Sequence, residues 1–306
     1  MKANIEIEFH ATDLPGGADA ILGPSECGPD VVKLKPYTWE ELGGLERLGV
    51  RVEITLDERD PRVSKVFALL DQYGVERWVD RKDVYTEDEL QAAPLLVMLP
   101  WQGDLALGYR TYDDSKACPT CKAGLRQTST LKILRVDRKV NEKFRLAFTH
   151  EDDVLVHDVD VERLLAAGVT GALFWPVEAD TKAGDMKELR RQQMIIEHVM
   201  PPMSPKSFLD RTRVCADCGR GWHTGVMGYP TRFVYRREDL ANIHDVNLTW
   251  EWFGGFWPEY NDPEDIRKSR GEKRPSPDVL VTPKVMNIFR DAGVTTFQWI
   301  PVDIEG

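Results

Sequence analysis

The sequence has few of the features that mark membrane, nucleic-acid or catalytic proteins. Its longest apolar run, Pro94 to Trp101, falls far short of the ~20 residues that a membrane-spanning helix needs. Positive charge is in the minority: 40 Lys and Arg face 51 Asp and Glu across 306 residues, a formal net charge of -11. Nucleic acid and anionic membranes both attract basic surfaces, so neither is the expected partner. The six histidines are scattered singly. There is no Gly-rich phosphate loop, no Gly-x-Ser-x-Gly elbow and no His-Glu-x-x-His, and nothing in the motifs supports an enzyme. Residues Met1 to Asp13 carry Glu6, Glu8 and His10 where a secretory signal would be apolar. The expected location is therefore the cytoplasm.

Cysteine is also scarce, with five residues: Cys27, Cys118, Cys121, Cys215 and Cys218. An odd count, four of them in two Cys-x-x-Cys pairs, is a poor match for a secreted disulfide framework. Each pair places two thiolates on one tight turn, and four sulfurs suit a tetrahedral zinc ion. Gly124 and Gly219 stand where such turns call for positive φ or a close backbone approach. The pairs are 93 residues apart, so a shared site requires the intervening chain to loop out as a subdomain. Four sulfurs leave no open position for water, which makes the expected zinc structural. Two rival readings are a redox pair at Cys118-Pro119-Thr120-Cys121 and plain reduced thiols. The redox reading needs a helix starting at Cys118, whereas Lys122 to Thr130 reads better as a hairpin. His223 could replace one cysteine as a ligand, and Cys27 is expected to be an unpaired thiol with no role.

The patterning predicts an α+β fold: a mixed sheet with covering helices and a ribbon-like zinc-knuckle site. Ile5 to Phe9 and Arg51 to Leu56 alternate as half-buried strands, and Leu95 to Leu99 reads as a buried one. Thr38 to Glu41 has capping-box spacing and predicts a short helix ending near Gly49. Asp60-Pro61 starts a second helix that Gly74 stops, and Thr86 to Glu89 starts a third. Strands are expected at 131–136 and 144–148, and a helix over 185–198. Residues 258–277 read as an exposed loop. The change of texture at Tyr112 suggests an N-terminal α+β domain over 1–111 and a second domain over 112–306.

One internal repeat stands out. Residues 153–177 and 278–302 align without a gap at an offset of 125, with ten identities in 25 positions. Each copy reads as strand, helix, a Gly stop (Gly168 or Gly293) and a strand ending in Pro-Val, the pattern of a duplicated unit whose helices cover a sheet. Leu164 and Phe289 are expected at matching buried positions. A faint third echo lies at 60–75.

Trp250-Glu251-Trp252-Phe253-Gly254-Gly255-Phe256-Trp257 is the densest aromatic cluster. Its default role is core packing, but Trp250, Trp252 and Trp257 are also candidate anchors for a protein partner. Glu87, Asp88, Glu89, Asp152 and Asp153 are candidate steering charges for a basic partner.

The two Cys-x-x-Cys pairs, the second continuing as Cys215-Ala-Asp-Cys218-Gly219, bracket a unit running from Leu164 to Pro176-Val177. A second such unit ends in Pro301-Val302. Together these features resemble the bacterial double-CXXCG-motif family, immunity proteins of toxin systems used between competing cells. The resemblance covers about residues 112–304, with Lys122 standing where the family motif has Gly. It implies a non-enzymatic protein that neutralises a cognate toxin by occupying its surface, around a structural zinc. The alternative is a zinc-ribbon adaptor or regulator in a bacterial defence or nucleic-acid complex.

Overall fold

The computed structural model describes residues 2–12, 14–40, 46–100, 108–120, 123–133, 144–149, 152–180, 186–207, 209–210, 215–220, 222–225, 232–253 and 276–306. These form a mixed α/β protein, mostly strands with a few helices. No described helix is long and apolar enough to cross a membrane. The chain divides into two compact units between Thr86 and Glu87.

The first unit holds β1 (Lys2–His10), α1 (Asp19–Ser25), β2 (Val32–Glu40), β3 (Glu46–Asp57), α2 (Pro61–Tyr73) and β4 (Arg77–Val84). The alternation read at Ile5 to Phe9 buries Ile5, Ile7 and Phe9 beside Val52, Ile54 and Leu56 of β3 and Val66 and Leu70 of α2. α2 starts where Asp60 accepts the Arg62 N–H (2.9 Å), with Pro61 at its first position. The helix expected after Thr38 is not formed. Residues 38–40 pair with 46–48, extending the β2–β3 ladder from Val32↔Ile54 to Glu40↔Glu46. A continuous antiparallel ladder supplies the backbone partners that a capping box would otherwise provide.

The second unit contains α3 (Glu87–Ala92), β5 (Leu96–Pro100), β6 (Gly108–Tyr109), β7 (Tyr112–Asp113), β8 (Arg126–Gln127), β9 (Leu131–Ile133), β10 (Leu146–Phe148) and β11 (Val154–His157). These are followed by α4 (Asp158–Ala166), β12 (Ala172–Asp180), β13 (Met186–Ile196), β14 (Leu209–Asp210), β15 (Trp222–Gly225), β16 (Val234–Arg236), β17 (Val246–Leu248) and β18 (Trp252–Phe253). Last come β19 (Val279–Val281), α5 (Pro283–Asp291), β20 (Phe297–Pro301) and β21 (Asp303–Glu305). The division falls earlier than the change of texture at Tyr112, because β5 lies between β19 and β20 and pairs with both. The helix expected over 185–198 is instead β13, held between β11 and β12. Its Met-Lys-Glu-Leu-Arg-Arg run favours a helix locally, but β12 pairs along most of its length and β11 along Arg191 to Gln193, so ladder bonds replace the helical ones. Most of the loop expected at 258–277, including Trp257 just before it, lies outside the described residues.

Three sheets share one strand arrangement. Their orders are β2-β3-β1-β4, β10-β11-β13-β12 (extended by β9 and β6) and β17-β19-β5-β20. In each, the two strands joined by a helix flank a third strand that runs antiparallel to both. This is a split β-α-β unit. The intervening strand precedes the unit in the first and third sheets and follows it in the second. All three helices end alike. The Val75, Val169 and Val294 N–H groups donate to Leu70, Leu164 and Phe289 O (3.0 Å each), and Gly74, Gly168 and Gly293 donate one step inside. The glycines have φ of 66°, 64° and 79°, the left-handed conformation of a Schellman cap.

In the second unit, Val161 and Leu164 of α4 and Val285, Met286 and Phe289 of α5 share one core with the facing side chains of both sheets. The opposite faces are also covered, by Leu131, Ile133 and Val177 around Leu155, and by Phe233, Tyr235 and Val302 around Leu280. This explains the uninterrupted apolar runs: Val154 and Val156 point one way and Leu155 the other, and Val279, Leu280 and Val281 repeat the pattern. The two sheets interlock. Val246 N donates to Thr170 O (3.0 Å), and Thr296 Oγ1 donates to Leu146 O (3.1 Å). Asp245 accepts from Thr170 N, Thr282 Oγ1 and Lys284 Nζ. Burial alone would raise its carboxyl, but these donors hold it below the usual range.

Candidate metal centre

Both cysteine pairs are carried by short hairpins. In the first, Tyr112↔Gln127 and Asp113↔Arg126 close a ladder below Cys118. In the second, Leu209↔Gly225 and Asp210↔Thr224 do the same below Cys215 and Cys218. The two turns fold in the same way at their first cysteine. Cys118 N donates to Ala123 O (2.9 Å) and Cys215 N to Arg220 O (2.7 Å), each spanning five residues. Gly219 N also returns to Cys215 O (2.9 Å). Gly124 and Gly219 have φ of 92° and 70°, so the positive-φ expectation holds at both. Asp113 steadies the first hairpin by accepting Ser115 N (2.9 Å) and Ser115 Oγ (3.0 Å), which holds its carboxyl below the usual range.

The two turns meet. Cys118 Sγ lies 3.8 Å from Cys215 Sγ, and the sulfurs of Cys118, Cys215 and Cys218 all lie within 4.8 Å of one another. Three thiols from chain segments 97 residues apart therefore form one cluster that could hold a metal ion. The spacing is too long for a disulfide and is compatible both with reduced thiols in contact and with thiolates sharing one metal ion. A disulfide requires about 2.05 Å between sulfurs. Two thiolates at ~2.3 Å from one tetrahedral zinc stand roughly 3.8 Å apart, the separation found here. Cys121 lies outside the described residues, as do the side chains of His223 and Trp222. Cys27 packs in the core of the first unit, its Sγ 3.9 Å from Ser25 O.

Side chains that the motifs did not reveal join the turns. Thr120 Oγ1 donates to Asp217 Oδ2, linking the two tips. The Arg220 guanidinium lies over the Trp250 ring, 5.3 Å from its centroid. A Cβ at Gly124 would stand 3.8 Å from Arg220 Nη1, and one at Gly219 would stand 3.3 Å from Trp250 Cη2. Arg220 thus links the turns: its guanidinium stacks on the Trp250 ring that covers the second turn and approaches Gly124 of the first. No helix follows Cys118 among the described residues. The chain turns and enters β8, without the helix N-terminus that activates a redox cysteine.

The remaining candidates have mixed placements. Trp250 is half-buried against the second turn, an internal packing role. Trp252 is half-buried in β18, opposite Trp222 in a parallel ladder. Glu87 is exposed and binds Arg290 of α5 (2.7 Å). With Gln91 and Arg290 donating to it, its carboxyl sits below the usual range. Asp88 is exposed and Glu89 half-buried. Asp152 is exposed with φ of 64° and accepts Ser276 Oγ (2.9 Å). Asp153 is committed internally: it accepts from Thr149 Oγ1 (2.8 Å), Gln193 Nε2 (2.9 Å) and Arg110 (2.5 Å). Its side chain has no free face for steering.

Neither a protein-family model nor a curated protein matches this chain.

Proposed function

We propose that this protein is a non-enzymatic, protein-binding immunity protein whose architecture is locked by one structural zinc. Cys118, Cys121, Cys215 and Cys218 would hold the ion, which supplies folding energy and leaves no coordination position for substrate. The observation that supports the structural-zinc reading is the convergence of three sulfurs from two hairpins, all within 4.8 Å of one another. The residues around them favour a clamp over a reaction centre: a threonine–aspartate tie, an arginine and a tryptophan cover. The clamp joins segments on either side of the first Asp-Val-Leu-Val copy. In this reading the two copies are a duplicated unit, which the shared strand order and matching helix caps support.

The toxin-neutralising role rests on the resemblance to the double-CXXCG-motif family and on the acidic balance of the chain. A net charge of -11 suits a basic toxin, with Glu87, Asp88, Glu89 and Asp152 as steering charges and Trp252 and Trp257 as anchors. Co-expression with the product of the adjacent reading frame tests this role. Growth rescue with capture of a complex is the expected result. Undiminished toxicity with no complex contradicts it. The ribbon-like mounting of the knuckles on hairpins favours a second reading, an adaptor in a nucleoprotein assembly. Co-purification of nucleic acid in place of a toxin would select it.

A further inference from the structure

The four-stranded sheet of the first unit ends in two unlike edges. Ala3 O accepts Glu58 N (2.8 Å) and Ala11 N donates to Val50 O (2.9 Å), so the odd residues of β1 turn their backbone groups toward β3 and the even ones toward β4. Through the register Glu6↔Asp80 and Glu8↔Trp78, the even residues of β4 are bonded inward. The N–H and C=O groups of Arg77, Val79, Arg81 and Asp83 therefore face outward, where no described strand pairs with them. At the opposite edge, Thr55 N donates to Val31 O (2.9 Å). By the register Val32↔Ile54, the even residues of β2 face outward, among them Pro36, which has no N–H to offer. Lys33 and Lys35 add charge of one sign. β2 therefore carries the usual protection of an edge strand.

β4 has no proline, and its charges are of both signs, so that its side chains complement themselves. Trp78, Val79 and Val84 are 55%, 49% and 43% exposed. On the sheet face away from α2, the order along β4 is Trp78, Asp80, Lys82, Val84, with an acidic and a basic side chain two residues apart. Suppose two β4 strands pair antiparallel about a two-fold axis through Arg81. Asp80 of each copy then lies opposite Lys82 of the other, and Trp78 lies opposite Val84. All four pairs are favourable, and all fall at non-hydrogen-bonded positions, where side chains approach most closely. The outward-facing Val79, Arg81 and Asp83 supply the hydrogen-bonded positions. The two Arg81 side chains on the axis are already neutralised, each by Glu58 (2.9 Å) and Asp83 (2.6 Å) of its own chain. Moving the register by two residues, with Asp80 on the axis, would set Asp80 against Asp80 and lose both pairs.

We infer that β4 is a homodimerisation edge, at which a second copy of this chain adds its own β4 and extends the four-stranded sheet across a two-fold axis. Charge exchange in the full-length protein tests this. Asp80→Lys sets the introduced lysine of each copy against Lys82 of the other. Lys82→Asp sets the introduced aspartate against Asp80. Each variant alone should therefore show monomer mass by light scattering where the parent shows dimer mass. Mixed together, the two variants present the introduced lysine to the introduced aspartate and Lys82 of one chain to Asp80 of the other. The mixture should recover the dimer as a heterodimer. That recovery also shows that both variants are folded, and the introduced lysine would face Glu6 within its own chain. A parent protein that is monomeric throughout the micromolar range would overturn the inference. So would either variant remaining dimeric alone, or a mixture that stays monomeric.

Discussion

Replacing Gly293 with alanine isolates the cost of one backbone conformation. Gly293 ends α5 at φ of 79°, and a Cβ built there meets nothing within 4 Å. The cost is therefore left-handed strain alone, ~1 kcal/mol. Gly168 ends α4 at φ of 64° in equally open surroundings, so its alanine variant should lose the same amount. Asparagine tolerates this conformation better and should recover part of the loss at both positions. Gly171 is the contrasting case. Its φ is 87°, and a Cβ there would overlap Val246 O and stand 2.6 Å from His244 Cβ. Val246 N is also bonded to Thr170 O, so the backbone cannot yield without parting the two sheets. Gly171→Ala should cost roughly 3 kcal/mol or more. Urea unfolding followed by circular dichroism, with the slopes compared to confirm an unchanged transition, gives all three values. Equal small losses at 168 and 293 and a large one at 171 are expected. Neutral substitutions at 168 and 293 would refute the cap geometry, and a loss at 171 no greater than theirs would refute the close contact between the two sheets.

Two further predictions concern buried charge. Asp160 is fully buried and takes a bidentate pair of hydrogen bonds from Arg145, 2.7 Å each, so Asp160→Ala should cost about 1.5–3 kcal/mol in the same assay, the one-third-exposed guanidinium recovering part of its hydration. Burial and the neighbouring Asp152 charge push Asp278 up to about 7. A raised carboxyl binds its proton more tightly in the folded protein, so its contribution is fully present below pH ~4 and is lost as pH rises toward 7. Asp278→Asn should therefore gain stability relative to the parent on going from pH 5 to pH 8, and an unchanged difference across that range would contradict the assignment.

The sequence is most legible where local chemistry and tertiary structure agree. Asp60-Pro61 and Gly74 bound α2 because a cap, a fixed φ and a left-handed stop each act within one turn. The ten identities of the repeat mark two strand–helix–strand segments with matching Gly stops for the same reason. Legibility fails where pairing over long range decides. Residues 38–40, 46–49 and 186–196 carry helical signals, yet they pair in antiparallel ladders with strands distant in the chain or across a turn. The common order of the three sheets is hidden because the intervening strand comes from different chain positions: β1 and β5 lie before their units and β13 after. The boundary falls ahead of Tyr112 because β5 pairs with strands far later in the chain. At the candidate site, the thiol pairs are plain in the sequence. Their supports are not, because Thr120 and Asp217, or Arg220 and Gly124, are neighbours only once the hairpins converge.

The measurement closest to the central claim is the metal content of the purified full-length chain, determined by elemental analysis and by native mass spectrometry. The account predicts one zinc per chain, retained in Cys27→Ser and lost in the double variant Cys118→Ser/Cys215→Ser, with loss of folded structure in the second unit on chelation. A chain that carries no zinc, that carries two ions, or that keeps its zinc in the double variant would contradict a single clamp between the two hairpins.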